Sequence, residues 1–337
     1  MKIYLYKGGF SIVSKSGVGS AIRHQEQMLR ETGAPVTAQW KEADVVHINT
    51  VFPDSVIAAY LAKKQGKRVV YYGHSTMEDF RNSFIGSNKA APLFQKWICF
   101  CYGLGDVILT PTDYSRRLLT GYGISKPVYA VTNGVDIDFF RADKNAGRQF
   151  RQKYGIPEDK KVVISAGHLI RRKGIFDFLN LAARMPETLF IWFGGGNSWA
   201  VPRDVKRAVR NKPENVMFAG YVEPQELKAA YCGADVFAFF SHEETEGIVV
   251  LEALACEVPV VVRDIPVYAG WLEDGIHVCK AADTESFQKK LEMIFSGECA
   301  GLTAEGRKLA EEHGMMPTGM RLNLIYQMER LGEKESE

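Results

Sequence analysis

Short apolar runs alternate with longer amphipathic stretches along the whole chain. In the amino-terminal half the apolar runs fall at 3–6, 44–48, 68–72, 107–109 and 128–131, each the length of a buried strand. The intervening pattern predicts helices over 17–30, 53–64, 91–102 and 113–120. The second half repeats the alternation, with strands at 162–166, 189–193 (running into Gly194–Gly196), 216–219, 234–240 and 258–262. Its helices are expected at 175–185, 224–231 and 247–256, before a largely helical tail over 285–331 whose last helix starts at Pro317. This alternation predicts an α/β protein built on doubly wound parallel sheets.

One βαβ unit carries the densest chemistry. A strand over 234–240 leads into an acidic loop, a short helix from Gly247, and a strand entered through Pro259. Such a loop opens at the carboxyl edge of a parallel sheet, where ligands sit. Gly247 lets the backbone approach a ligand closely, and the free amides at Ile248 and Val249 favour an anion such as a diphosphate. Glu244 and Glu252 flank those amides eight positions apart. A wholly helical connection would separate them by ~12 Å, enough to span a nucleotide-sugar diphosphate. Each carboxylate accepts two hydroxyl hydrogen bonds, which suits a hexose or a ribose. Glu252 also interrupts an otherwise apolar helix, and a charge there needs a partner.

Other stretches add candidates. Gly167-His-Leu-Ile-Arg-Arg-Lys-Gly174 follows a strand and starts a helix, so its amides and cations converge on an anion. Gly17-Val-Gly19 is a weak phosphate-loop signal, and no G-K-[ST] follows it. His74, after Gly73 at the end of the third strand, is placed to reach a ligand, and Glu78 and Asp79 beyond it are candidates for acceptor hydroxyls. Asn133-Gly-Val-Asp136 is a strong turn, and the D-x-D of Asp136 and Asp138 inside it reads as structural. The polar stretch 141–160 reads as a hinge with a following helix. Arg81 to Phe100 interleaves Phe84, Ile85, Leu93, Phe94, Trp97 and Ile98 with Arg81, Lys89 and Lys96. It is either an interfacial segment or a core helix preceded by a loop.

Size and composition fit two ordinary globular domains: 337 residues, 46% hydrophobic and 24% charged. No apolar run approaches a bilayer span, and Met1 to Lys7 is too short for a signal peptide, so the chain is expected in the cytosol. Six cysteines show neither CxxC nor zinc spacing, which predicts reduced thiols and no metal site. Residues 1–140 hold 16 Lys and Arg against 11 Asp and Glu, and the remainder 26 against 29. That polarity suits contact with an anionic membrane surface and is too weak for nucleic acid.

Glu244-Thr-Glu-Gly-Ile-Val-Val-Leu-Glu252, with Ala-Leu-Ala-Cys-Glu-Val-Pro-Val-Val after it, resembles the E-x7-E motif of the retaining glycosyltransferases of family 4. The resemblance implies the GT-B fold, two Rossmann-like domains facing across a cleft. It implies an acceptor- and membrane-facing domain over 1–140, a nucleotide-sugar domain over 141–316, and a helix over 317–337 crossing back to the first domain. It implies catalytic roles for His74, Lys173 and Glu244. Donor contacts would come from Gly17, Gly19, His168, Arg172, Lys173, Glu244, Gly247, Ile248, Val249 and Glu252, and acceptor contacts from Glu78 and Asp79. Two departures stand out: Glu246 where many members carry an aromatic, and His168 where Arg is usual, with Arg171 or Arg172 left to supply that charge. The second acid resembles bacterial synthases that extend a monohexosyl-diacylglycerol. The expected activity is therefore transfer of glucose or galactose from a UDP-sugar, without metal or cofactor, to glucosyl-diacylglycerol at the inner membrane face. A capsule or exopolysaccharide transferase acting on a soluble or polyprenyl-linked saccharide remains an alternative, as does a non-catalytic nucleotide-sugar-binding protein. No paired carboxylates are placed as in a glycosidase, which favours front-face attack.

Overall fold

A computed structural model describes residues 1–195, 201–299 and 301–334, so Gly196 and the end of the expected 317–337 helix lie outside the described residues. Strands β1 (Ile3–Tyr6), β2 (Val45–Ile48), β3 (Arg68–Tyr72), β4 (Val107–Thr110) and β5 (Val128–Ala130) form a first sheet in that order, all parallel. Its helices are α1 (Phe10–Val13), α2 (Gly17–Glu31), α3 (Pro53–Lys64), α4 (Met77–Phe80), α5 (Ser87–Gly103) and α6 (Asp113–Gly121). Ile3 also bridges Val36 in parallel on the free side of β1. The chain thus passes to one side of β1 and then crosses to the other for β2.

The second sheet contains β6 (Val162–Ala166), β7 (Leu189–Phe193), β8 (Val216–Gly220), β9 (Val236–Phe239), β10 (Val260–Arg263) and β11 (Cys279–Ala281). Its order is β11-β10-β9-β6-β7-β8, again parallel throughout. After β8 the chain returns to the other side of β6 to lay down β9. The direction of winding therefore reverses between β6 and β9, which places a ligand crevice at their carboxyl ends. Around it run α7 (Lys144–Lys153), α8 (Ile175–Arg184), α9 (Arg203–Arg210), α10 (Pro224–Gly233), α11 (Ile248–Ala255), α12 (Thr284–Phe295), α13 (Leu302–Glu312) and α14 (Met315–Lys334).

Strands buried on both faces need cover on both. One face of the first sheet packs Leu5, Val70 and Leu109 against Leu29 of α2 and against Leu322, Ile325 and Tyr326 of α14. The Tyr326 hydroxyl bonds His47 Nδ1 on β2, and Arg68 donates to the Tyr326 carbonyl at 3.1 Å. The last helix, although it follows the second sheet in sequence, is thus built into the first sheet's core. On the opposite face Ala58, Ile98, Tyr102 and Leu119 pack from α3, α5 and α6.

Several boundaries depart from expectation for local reasons. The helix expected over 91–102 begins at Ser87, after Gly86 turns the chain at φ 85°, and so carries Pro92 inside it. Pro317 lies in the first turn of α14 rather than at its start, where its missing N–H costs nothing. The helix α9 was not expected, because it buries Val205 alone among strongly charged residues. The unexpected β11 is three residues long, below what a pattern reveals. α5 presents two apolar faces: Ile98, Cys101 and Tyr102 are buried, while Leu93 and Phe100 are 73% and 54% exposed. All six cysteines are free. Among the described residues no helix is long and apolar enough to cross a membrane.

Candidate active site

The loops leaving β6 and β9 meet at the switch point. Gly174, at φ 77°, lies so close to Phe240 that a Cβ would stand 2.2 Å from its carbonyl oxygen, so only glycine lets the two loops touch. That contact brings Lys173 to Glu244, whose side chains are 14% and 8% exposed and whose charged ends bond directly. Burial pushes the Glu244 carboxyl up, but Lys173 and Arg172 outweigh it and hold the group below its ordinary value. Burial pulls Lys173 below its ordinary value, opposed chiefly by Glu244. The aromatic face of Phe239 lies 5.4 Å from the Lys173 ammonium.

The helix α11 starts at the same place. Gly247 caps it at φ 96°, and its first amides, Ile248 and Val249, have no partner within the helix. Glu252, a turn further on, is buried and accepts a hydrogen bond from the Tyr231 hydroxyl at 3.1 Å. Burial raises its carboxyl to about 7, partly offset by Tyr231 and by the charge of Arg23 on α2. The partner that Glu252 demanded is therefore a tyrosine on α10, with an arginine contributed from the first half.

The first half lines the opposite wall. His74 is buried, stacks on Tyr72 at 4.3 Å between ring centroids, and bonds Asn49 Oδ1 through Nε2 at 2.9 Å. Asn49 in turn donates to Gln25 Oε1 at 2.8 Å. In that chain His74 Nε2 is the donor, leaving Nδ1 as an acceptor. Burial holds the ring neutral, with its pKa lowered to about 3. Gly17 opens α2 in an exposed position, and Gly19 is buried against the Val13 and Ser14 carbonyls.

Contacts between the halves involve several of the expected site residues. Arg172 donates to Asp79 at 2.8 Å, to Ser83 Oγ at 3.1 Å and to the Glu243 carbonyl at 2.6 Å. Glu78 is bonded by the Tyr122 hydroxyl. Arg171 pairs with Asp204 at 2.7 Å, and His168 Nδ1 bonds the Gly195 carbonyl at 2.7 Å. Glu246, the departure noted in sequence, is 2% exposed and crosses to the first half. It accepts from Thr132 Oγ1, from the Asn133 amide at 3.1 Å and from Asn133 Nδ2 at 2.6 Å. Thr112 Oγ1 donates to the Thr245 carbonyl beside it at 2.9 Å. Asp136 accepts from the amides of Asp138 and Phe139 at 3.2 and 2.9 Å, so it closes a turn. Sequence reasoning missed Arg23, Gln25, Asn49, Tyr231 and the crossing of Glu246, since each acts across a long sequence separation.

Residues 20–139 match the description Glycosyltransferase Family 4, and residues 147–311 match Glycosyl transferases group 1. The chain is 38% identical over 331 residues to the processive diacylglycerol alpha-glucosyltransferase of Acholeplasma laidlawii, covering 97% of this chain and 98% of that protein. It is 28% identical over 283 residues to the alpha-galactosylglucosyldiacylglycerol synthase of Streptococcus pneumoniae, covering 77% and 72% of the two. Among solved structures, Anabaena HepE in complex with UDP-glucose superposes with a TM-score of 0.75 at 16% identity, covering 97% of this chain and 100% of the other. Sucrose-phosphate synthase from Thermosynechococcus elongatus gives 0.74 at 16% identity, covering 94% and 79%. Two reversing parallel sheets, an acidic loop facing a lysine loop, and near full-length kinship place the chain in one group: it belongs to the family 4 glycosyltransferases of the GT-B fold.

Proposed function

We propose that this enzyme transfers a hexose, glucose first, from a UDP-sugar to diacylglycerol-linked acceptors, with retention at the anomeric carbon. The observation that carries the reading is the 38% identity to a diacylglycerol alpha-glucosyltransferase across 97% of this chain and 98% of that one. In this reading the diphosphate lies over the first amides of α11 and takes the Lys173 ammonium. Glu244 receives the hexose hydroxyls, Glu252 the ribose, and His74 Nδ1 accepts from a sugar hydroxyl. Gly17, Gly19, His168, Arg172, Gly247, Ile248 and Val249 complete the donor wall.

The acceptor hydroxyl attacks the anomeric carbon on the face from which the diphosphate departs. The bond from that carbon to the phosphate oxygen breaks with its electron pair moving to UDP, and the acceptor's proton passes to the leaving phosphate oxygen. Lys173 and the helix amides stabilise the growing negative charge, which is where most of the rate is gained. No resident cofactor or metal enters this scheme. Asp79 and Glu78 lie on the acceptor side, and release of Asp79 from Arg172 frees a carboxylate for an acceptor hydroxyl. The exposed Phe84 and Ile85, with Leu93 and Phe100 on α5, form the apolar side of a surface bearing Arg81, Lys89 and Lys96. In this reading that surface rests peripherally on an anionic membrane, at its cytoplasmic face.

The test is mass spectrometry of lipid products from UDP-glucose and UDP-galactose, offered separately with diacylglycerol and glucosyl-diacylglycerol in vesicles. Hexosyl-diacylglycerols from UDP-glucose support the reading. UDP release only with a soluble or polyprenyl-linked saccharide would refute it.

A further inference from the structure

Tyr268 closes the short turn Pro266–Tyr268 that follows β10. Its ring is wholly buried, edge-on to Trp271 at 5.7 Å between centroids. Its hydroxyl, equally buried, has no hydrogen-bond partner among the described residues. Buried tyrosine hydroxyls ordinarily find one, because an unmade bond leaves the full desolvation cost uncompensated. The position of this hydroxyl explains the exception. A Cβ built on Gly247 would stand 3.0 Å from it, so it lies directly beneath the start of α11. Together with burial, the charges of Glu244 and Glu246 push the phenol well above its ordinary value, so both carboxylates stand within electrostatic reach.

The two carboxylates differ in what they still need. Glu246 is filled by Thr132 and by the amide and side chain of Asn133. Glu244 leans on Lys173, with Arg172 further off at 3.7 Å. Under the function proposed above, on which this inference rests, the arriving diphosphate claims Lys173. Glu244 would then be a buried carboxylate stripped of its main partner while it has to grip hexose hydroxyls. We propose that Tyr268 is a positioning residue: its hydroxyl donates to Glu244 once the diphosphate has drawn Lys173 away, and so holds that carboxylate against the donor hexose. The unpaired Tyr268 hydroxyl is the waiting half of this exchange. A side chain at position 247 would crowd this hydroxyl, and glycine spares it that contact.

Tyr268→Phe removes the hydroxyl and nothing else. Because that hydroxyl bonds none of the described residues, the variant should melt no lower than the parent. Its affinity for UDP-glucose, read by calorimetry without any acceptor, should fall about 10-fold or more, the worth of one hydrogen bond to a charged group. Affinity for UDP, which lacks the hexose, should stay within about twofold, since the diphosphate contacts are untouched. In the background of Glu244→Ala, which removes the acceptor, the same substitution should change UDP-glucose affinity by no more than about twofold. Parent-like UDP-glucose binding by Tyr268→Phe would overturn the proposal, and so would equal losses for UDP and UDP-glucose or a lowered melting temperature. None of these readouts depends on the lipid acceptor, so failure of the proposed acceptor and failure of the Tyr268 role are seen separately.

Discussion

Lys173 and Glu244, 71 residues apart in sequence, neutralise each other at the junction of two loops, with side chains only 14% and 8% exposed. A pair this buried stabilises the fold only while both members are present; removing one strands the other's charge, at a cost of about 3–5 kcal/mol. Lys173→Met should therefore lower the melting temperature and, under the proposed function, in which Lys173 meets the departing diphosphate, cut turnover by roughly 10²–10³. Adding Glu244→Gln should restore much of the melting temperature without restoring turnover. Calorimetric melts and UDP release on the single and double variants separate the two effects. Recovery of turnover in the double variant would contradict a catalytic role for either residue.

Arg172 belongs to the loop that follows β6, yet it forms an ion pair with Asp79 on the opposite half, at 2.8 Å and with 10% and 24% exposure. Burial pushes the Asp79 carboxyl up, and Arg172 is the main force holding it down. The pair ties the loop after β6 to the segment leading into Phe84 and Ile85. A double-mutant cycle of Arg172→Ala and Asp79→Ala, read by denaturant unfolding, should give a coupling energy of about 1–3 kcal/mol. Strict additivity would mean that the two side chains merely lie side by side.

Much of this architecture could be read from the sequence because it rests on short-range signals. The strand bounds at 68–72, 162–166 and 189–193 coincide with expectation, since fully buried parallel strands are plain apolar runs. α9 escaped because RDVKRAVR offers one buried residue to a pattern search. Pro92 misled the start of α5, because proline normally sits in a first turn. The E-x7-E spacing and the lysine loop were visible as local motifs. That Glu246 would be held by Thr132 and Asn133 was not, because the bond spans 114 and 113 residues and is fixed by how the halves meet. Tyr231 and Tyr268 were unreadable for the same reason: an aromatic in a core segment says nothing of what its hydroxyl faces.

The pH dependence of donor binding should follow Glu252. Its carboxyl ionises at about 7, raised by burial, with Tyr231 and Arg23 pulling the other way. Between the ordinary glutamate value and about 7 the folded form keeps a proton that the unfolded form has lost. This group's contribution to stability is thus present at low pH and disappears as pH rises through about 7. Under the proposed function binding runs in the opposite direction, because the ionised carboxylate offers both oxygens as acceptors to the ribose hydroxyls, whereas protonation turns one of them into a donor. Affinity for UDP-glucose should rise several-fold from about pH 6 to about pH 8. Glu243 and Glu246 are likewise raised to about 7, so the assignment needs Glu252→Gln. Calorimetric titrations of that variant should lose most of the slope; an unchanged slope would transfer the effect to one of the other two.

Membrane contact is the remaining expectation with a direct measurement. Phe84 and Ile85 are 43% and 66% exposed at the end of the loop that Arg172 holds, and Lys89 follows one turn into α5. Phe80 anchors the base of this loop, stacked on Phe94 at 3.9 Å and edge-on to Phe84 at 4.8 Å. Apolar tips on an anchored base insert into lipid with little ordering cost, and each buried side chain contributes about 1.5–3 kcal/mol when fully transferred. Replacing Phe84 and Ile85 by Ser should reduce co-sedimentation with anionic vesicles at least ~10-fold while leaving UDP affinity unchanged. Lys89→Gln should matter only on anionic vesicles and only at low salt, since a near-surface charge is worth about 1 kcal/mol and is screened within a Debye length. Co-sedimentation equal to the parent's in the Phe84 and Ile85 variant would place the lipid contact elsewhere on the first half. The exposed Leu93 and Phe100 of α5 would then be the next residues to replace.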